Sequence, residues 1–194
     1  MVTSVAWAVA GALWVGEMRS GGQPPVRPAN LAAPAEQEFL LARDFSDQAG
    51  PRLLIPVAGV TIGDLVDTFT QARDGGARPH DAIDIPAPFG TPVVAAAPGV
   101  VEKLHLSKQG GVTVYLRSPS RTLIYYYAHL DRYAPGLAEG QALAAGAPIG
   151  FIGWSGNADA AAPHLHFAIL HTAPQKGWWE PARAINPYPL LTAR

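Results

Sequence analysis

The segment Ala162-Pro163-His164-Leu165-His166-Phe167 sets two of the six histidines one residue apart among apolar neighbours. A buried imidazole without a partner costs about 1–3 kcal/mol, so two in succession call for hydrogen-bond partners or a metal. On a strand, residues 164, 166 and 168 face one way and residues 165, 167 and 169 the other. Leu165, Phe167 and Ile169 then supply a continuous apolar face to a core, and both imidazoles share the opposite face with the small Ala168. A His-x-His pair so placed can bind zinc, although two hydrogen-bonded core or surface histidines would produce the same pattern. Catalytic zinc sites usually take three protein ligands and keep one position for water, so a third ligand must come from elsewhere.

Two further segments carry candidates. In "PHDAIDIPAPFGTPV", His80 and Asp84 lie four residues apart, a spacing that shares a face on either a helix or a strand. Pro86 and Pro88 exclude a continuing helix, which predicts a strand on which His80, Ala82 and Asp84 share a face while Asp81 points away. A turn-capping Asp beside an exposed His is the structural alternative. His129 stands at the end of the strongly β-forming run "YYYAHLD", whereas His105 and His171 have no companions and are expected at the surface. The chain has no cysteine, so a transition metal must be held by His, Asp or Glu. Four histidines and one aspartate from three segments supply that material.

The elements that must position these residues follow from the pattern around them. After Gly76, apolar runs such as "TPVVAAAPGVVEKLHL", "GVTVYLRS", "TLIYYYAHL" and "HLHFAIL" are rich in β-branched and aromatic residues and are separated by Gly or Pro. They predict a mostly β fold with an antiparallel sheet. "AEQEFLLAR" predicts a short helix, and "IGDLVDTFTQAR" a second helix or a loop covering a sheet edge. "GWWEPARAINPYPLL" is expected to pack over the sheet as an irregular tail.

The 194 residues suffice for one domain with a substantial core, and 48% hydrophobic against 15% charged residues excludes a disordered chain. A formal net charge of −1 argues against nucleic acid as a partner, which would call for a basic face. The uncharged run Val5–Val15 is shorter than the about 20 residues of a membrane span and suits a signal peptide or short anchor. No Lys or Arg precedes it, and a buried N-terminal helix is the alternative. The expected organisation is a leader over 1–16, a Gly- and Pro-rich linker with room for a short helix over 17–50, and a domain over 51–194.

In order, "HDAID", "YYAHL" and "PHLHF" resemble the LytM or lysostaphin-type zinc metallopeptidases of family M23. "APFGTPVVAAAPGVV", "GAPIGFIGWSGNA" and "INPYPLL" look like family members too, and the likeness runs from about Leu54 to Leu191. The resemblance implies an antiparallel β core of the LytM duplicated hybrid motif type, with a groove and one Zn2+ per chain held by His80, Asp84 and His166. It makes His129 and His164 the non-ligand histidines of the catalytic centre. The implied activity is hydrolysis of peptide bonds in the stems or cross-links of bacterial peptidoglycan by a metal-activated water. The family often has Gly at the position of Ala82 and Glu at that of Ala168; neither is a ligand position.

No "HExxH" is present, so imidazoles must take the place of the Glu base of helical zinc proteases. An unperturbed imidazole pKa of about 6.5 suits proton transfer in either direction. Two other functions compete. A LytM-like regulator that activates other cell-wall hydrolases would be marked by a missing ligand, and none is missing. A zinc peptidase acting on free peptides would share the five residues. The leader implies export to the cell envelope or periplasm, with membrane attachment through the apolar run as one route.

Overall fold

A computed structural model of the chain describes residues 53–73 and 78–193. The leader, the linker and the expected "AEQEFLLAR" helix lie outside these residues. Among the described residues the strands are β1 (Ala72–Arg73), β2 (Arg78–Pro79), β3 (Ile83–Pro86), β4 (Pro92–Val94), β5 (Gly99–Ser107), β6 (Gly111–Arg117), β7 (Leu123–Tyr133), β8 (Ala142–Leu143), β9 (Pro148–Ile152), β10 (His164–His171) and β11 (Arg183–Ile185). The pair β1–β2 stands apart. The others form one antiparallel sheet with the order β11-β10-β7-β6-β5-β8, to which β3 is added on β10 and the β4–β9 pair on β7.

The alternation in "HLHFAIL" decides how β10 sits. Leu165, Phe167 and Ile169 are fully buried, together with Ile83 and Ile85 of β3 and Tyr127 of β7. Each such side chain removed from water contributes about 1.5–3 kcal/mol, which orients the strand strongly. The Tyr127 and Phe167 rings pack at 5.2 Å between centroids, and the Tyr127 hydroxyl accepts the Ala96 N–H at 2.9 Å, so this core tyrosine leaves no polar atom unmet.

One of the flanking segments takes the loop alternative of its sequence-based expectation, and the other departs from its expectation. "IGDLVDTFTQAR" forms a single 3₁₀ turn, Ile62–Asp64, then a loop that ends in β1; the Asp64 carboxylate accepts from the N–H and hydroxyl of Thr61 at 2.9 and 2.7 Å, closing the turn. The C-terminal segment is more regular than expected. Its residues 183–185 add β11 to the edge of β10, and helix α1 (Pro187–Thr192) follows. Asn186 caps that helix by accepting the Tyr188 N–H at 2.9 Å, and Pro187 occupies the first turn, where no N–H is needed.

Candidate metal centre

One rung of the sheet builds most of the site. His166 of β10 lies opposite Asp84 of β3 on one side and Ala128 of β7 on the other. Directly opposed residues of antiparallel strands project to the same face, so the carboxylate and the imidazole meet: His166 Nδ1 lies 3.2 Å from Asp84 Oδ1. His80 arrives differently. The sequence places it on a strand with Asp84, but β3 begins only at Ile83 and Asp81 adopts a left-handed backbone, φ 58°. A non-glycine residue there costs about 1–3 kcal/mol. The turn brings the buried His80 ring in from a loop, with Nε2 at 3.0 Å from both Asp84 Oδ1 and His166 Nδ1.

These three donor atoms suit a metal ion. His80 Nδ1 donates to the Thr68 carbonyl at 3.0 Å, which leaves a lone pair on Nε2 in the neutral ring. That lone pair, the His166 Nδ1 atom and a carboxylate oxygen converge within 3.0–3.2 Å. Tetrahedral zinc with bonds of about 2.0–2.2 Å sets its ligands about 3.4 Å apart, so small adjustments would admit it. Burial alone would raise the Asp84 pKa, but in the metal-free chain, where these ring nitrogens can carry protons, hydrogen bonding with His166 and His80 outweighs it and holds the carboxyl well below the usual carboxylate range. Burial lowers the pKa of His166 against the pull of Asp84, favouring the neutral ring that a metal requires.

Two imidazoles border this triad. Strict alternation along β7 would turn His129 towards the core, because Ala128 already shares the face of His166. A bulge reverses this: Ala128 and His129 together stand opposite Thr113 of β6, and His129 takes φ 61°. Its ring comes to 5.1 Å from His164 and 5.5 Å from His166 between centroids. Its Nδ1 donates to the Ser155 carbonyl at 2.8 Å. Burial, the largest cause, takes the His129 pKa from 6.5 to about 4, so the ring is neutral at pH 7. His164 Nδ1 likewise donates to the Ala162 carbonyl at 2.8 Å, and its Nε2 lies 3.7 Å from Asp84 Oδ1.

Thr68 and Ser155 carry no catalytic signature in the sequence, yet they fix this arrangement. Thr68 uses its carbonyl for His80 and its Oγ1 for the Asp84 N–H, at 3.0 Å each. The Ser155 hydroxyl donates to Leu130 O at 2.6 Å and accepts from Val112 N at 2.9 Å, tying the loop after β9 to the β6–β7 pair. This loop is in backbone contact with the turn before β6. A Cβ on Gly156 would fall 2.2 Å from Gln109 O, and Gly156 has φ 78°, so only glycine fits. The five candidate residues His80, Asp84, His129, His164 and His166 all line one cavity of about 450 Å³, with Gln109, Tyr126 and Asp159 among its other walls. His171 is exposed as expected, but His105 is half-buried, with its ring 4.9 Å from that of Trp178.

A family model described as peptidase family M23 matches residues 78–179. An L-Ala–D-Glu endopeptidase of Bacillus subtilis (strain 168) is 35% identical over 132 residues, covering 65% of this chain and 39% of its own length. The peptidoglycan DD-endopeptidase ShyC of Vibrio cholerae is 38% identical over 128 residues, covering 66% of this chain and 25% of its own. The chain therefore spans less than half the length of these curated relatives. Among solved structures, the catalytic domain of the antimicrobial peptidase lysostaphin from Staphylococcus simulans is 25% identical with a TM-score of 0.55, and the match covers 68% of this chain and 96% of that one.

Proposed function

We propose, from the premise that this chain belongs to peptidase family M23, that it is a zinc-dependent endopeptidase cleaving peptide bonds of bacterial peptidoglycan. The observation that carries this reading is the convergence of His80 Nε2, Asp84 Oδ1 and His166 Nδ1 within 3.0–3.2 Å beside two imidazoles locked by backbone carbonyls. His80, Asp84 and His166 would hold one Zn2+ per chain. A zinc ion bound there supplies a Lewis acid and makes water a nucleophile at neutral pH.

The remaining steps belong to the chain's own groups. Because Nδ1 of both His129 and His164 donates to a carbonyl, each neutral ring keeps a lone pair on Nε2. Either Nε2 can accept a proton from water, and the resulting imidazolium can stabilise negative charge on the carbonyl oxygen or protonate the leaving amine. Burial makes protonated His129 a strong donor, which suits it to the amine. Asp84 stays ionised throughout.

A peptidoglycan substrate places the activity in the cell envelope, in keeping with the apolar run Val5–Val15. No helix among the described residues is long and apolar enough to cross a membrane. Incubating the full chain with purified sacculi, with and without chelator, tests the proposal. Soluble fragments carrying new amino termini should appear, vanish on chelation and return with added zinc. Hydrolysis that survives complete metal removal would overturn it. So would a metal-loaded chain that cleaves nothing, and stimulation of a separate hydrolase by that chain would mark a regulator instead.

A further inference from the structure

The rung next to the metal centre, on the same face of the sheet, consists of Ala168, Tyr126, Tyr115 and Lys103 across β10, β7, β6 and β5. It begins a run of rings leading away from the site. Centroid separations are 6.1 Å from His166 to Tyr126, 4.7 Å on to Tyr115, 4.9 Å on to Trp178 and 5.9 Å on to Trp179. Tyr126 lines the site cavity, so the run is continuous with it. It ends in the open, with Trp179 71% exposed.

An exposed indole on a mobile loop would sample several rotamers, but this one is held. A Cβ on Gly177 would lie 2.5 Å from Cη2 and Cζ3 of Trp179, so the ring rests on bare backbone there. Trp178 meets it edge-on at 82°. The segment is in turn anchored by Arg117, only 2% exposed, whose Nη2 donates to the Lys176 carbonyl and to Glu102 Oε1 at 2.8 Å each; Arg121 Nε donates to Pro174 O at 3.1 Å. Burying a guanidinium is costly unless it is paired and hydrogen-bonded. Here the paired arginine fixes a loop whose tip is an exposed, pre-positioned aromatic face. Such a face lowers the ordering cost of binding a ligand.

We propose that the Trp178–Trp179 corner is a saccharide-stacking subsite, which holds an amino-sugar ring of the glycan strand whose stem peptide enters the metal centre. The inference rests on the peptidoglycan reading above. Three observations favour this occupant. The ring run joins the corner to the peptide site, and its successive steps set an upper limit on their separation that an extended peptide of about six residues at ~3.5 Å each would span, so one polymer can reach both. Of the neighbouring cations, Lys103 is paired with Glu139 at 2.8 Å and Arg117 with Glu102, while Arg121 and Lys176 donate to the Pro174 and Pro181 carbonyls, and Glu180 adjoins Trp179. This mixed, largely engaged set suits a neutral ligand better than an anionic membrane or nucleic acid. An indole, finally, offers a flat apolar face to sugar C–H groups and an N–H at its edge for a hydroxyl.

The test titrates peptide-free N-acetylglucosamine oligomers into the metal-loaded full chain and follows tryptophan fluorescence. Binding should be seen in the unmodified protein, weaken about tenfold in Trp179→Ala, as expected for losing one aromatic stacking contact, and recover in part in Trp179→Phe. In hydrolysis, Trp179→Ala should raise KM for sacculi and leave turnover of sugar-free peptides unchanged. Failure of the unmodified chain to bind the oligomers would overturn the subsite, as would binding that Trp179→Ala leaves intact. Trp179-dependent binding to phosphatidylglycerol vesicles in place of the oligomers would also overturn it. A chain that binds oligomers but hydrolyses nothing would refute the peptidase reading and keep the subsite, whereas an active chain without oligomer binding would refute the subsite alone.

Discussion

The two faces of β10 are built on different principles. Leu165, Phe167 and Ile169 are held by close packing against Ile83, Ile85 and Tyr127, where many small contacts each contribute a little. His164 and His166, on the other face, are held by a few directional bonds to Asp84 and to the Ala162 carbonyl. The first arrangement determines whether the sheet forms, and the second determines what it can do. If that division is right, adjacent residues of one strand should fail in opposite ways when truncated.

The largest effect is expected at the ligands. His166→Ala should lower bound metal from about one equivalent per chain to near zero and abolish hydrolysis, since a three-ligand zinc site does not survive on two. Its secondary structure by circular dichroism should remain, and metal analysis showing full occupancy would reject the ligand assignment. Next come the flanking imidazoles. His164→Ala should keep the metal and lose about 10²–10⁴ in kcat, the usual contribution of a positioned acid or base. For His129 the informative change is His129→Asn, because Asn tolerates the left-handed backbone that Ala would strain. Turnover unchanged in both variants would remove these histidines from the mechanism.

Phe167→Ala probes the other face. It should cost about 3–5 kcal/mol of unfolding free energy in denaturant titration, while the fraction still folded binds metal normally. A selective loss of metal affinity there would mean that the two faces are coupled rather than divided.

Acid provides a further contrast within the metal-free chain. His129 titrates near 6.5 when unfolded and at about 4 when folded. Between those values the unfolded chain binds more protons, so stability should rise with pH across about 4 to 6.5 and fall as acid is added. The burial-lowered pKa of His166 acts in the same direction, whereas Asp84 is ionised in both states over most of this window and contributes little. Chemical denaturation at stepped pH should show this slope, and His129→Asn should flatten it. An unchanged slope would show that His129 is not held neutral by burial.

The same division explains how far the sequence could be read. Alternation in "HLHFAIL" placed both histidines on one face and Leu165, Phe167 and Ile169 on the other, because period two is a direct consequence of strand geometry. It could not place His80 or His129. Both reach the site through non-glycine residues with positive φ, Asp81 and His129 itself, and neither residue type announces that conformation. The carbonyls of Thr68, Ser155 and Ala162 were equally illegible, since every residue has a carbonyl and only the fold chooses which one faces an imidazole. The helix at 187–192 did leave a sign: Asn186-Pro187 is a cap followed by a residue suited to the first turn, within a segment otherwise too rich in Pro to suggest one.

Thr68 offers the finest test of the contrast, because one residue serves the site twice through different atoms. Thr68→Val keeps the volume and the carbonyl that orients His80, but removes the Oγ1 acceptor of the Asp84 N–H. The residue is nearly buried, so the orphaned N–H should cost about 1–3 kcal/mol wherever Asp84 must hold its present backbone position. If directional bonds govern this face, much of that cost should appear as metal affinity weakened about tenfold or more, as for other groups that orient ligands from behind. Competition with a fluorescent chelator would measure it, alongside the melting temperature of the metal-free form. Unchanged affinity with a lowered melting temperature would show that the cross-strand pairing with His166 alone holds Asp84, and that Thr68 belongs functionally to the packed face of the sheet.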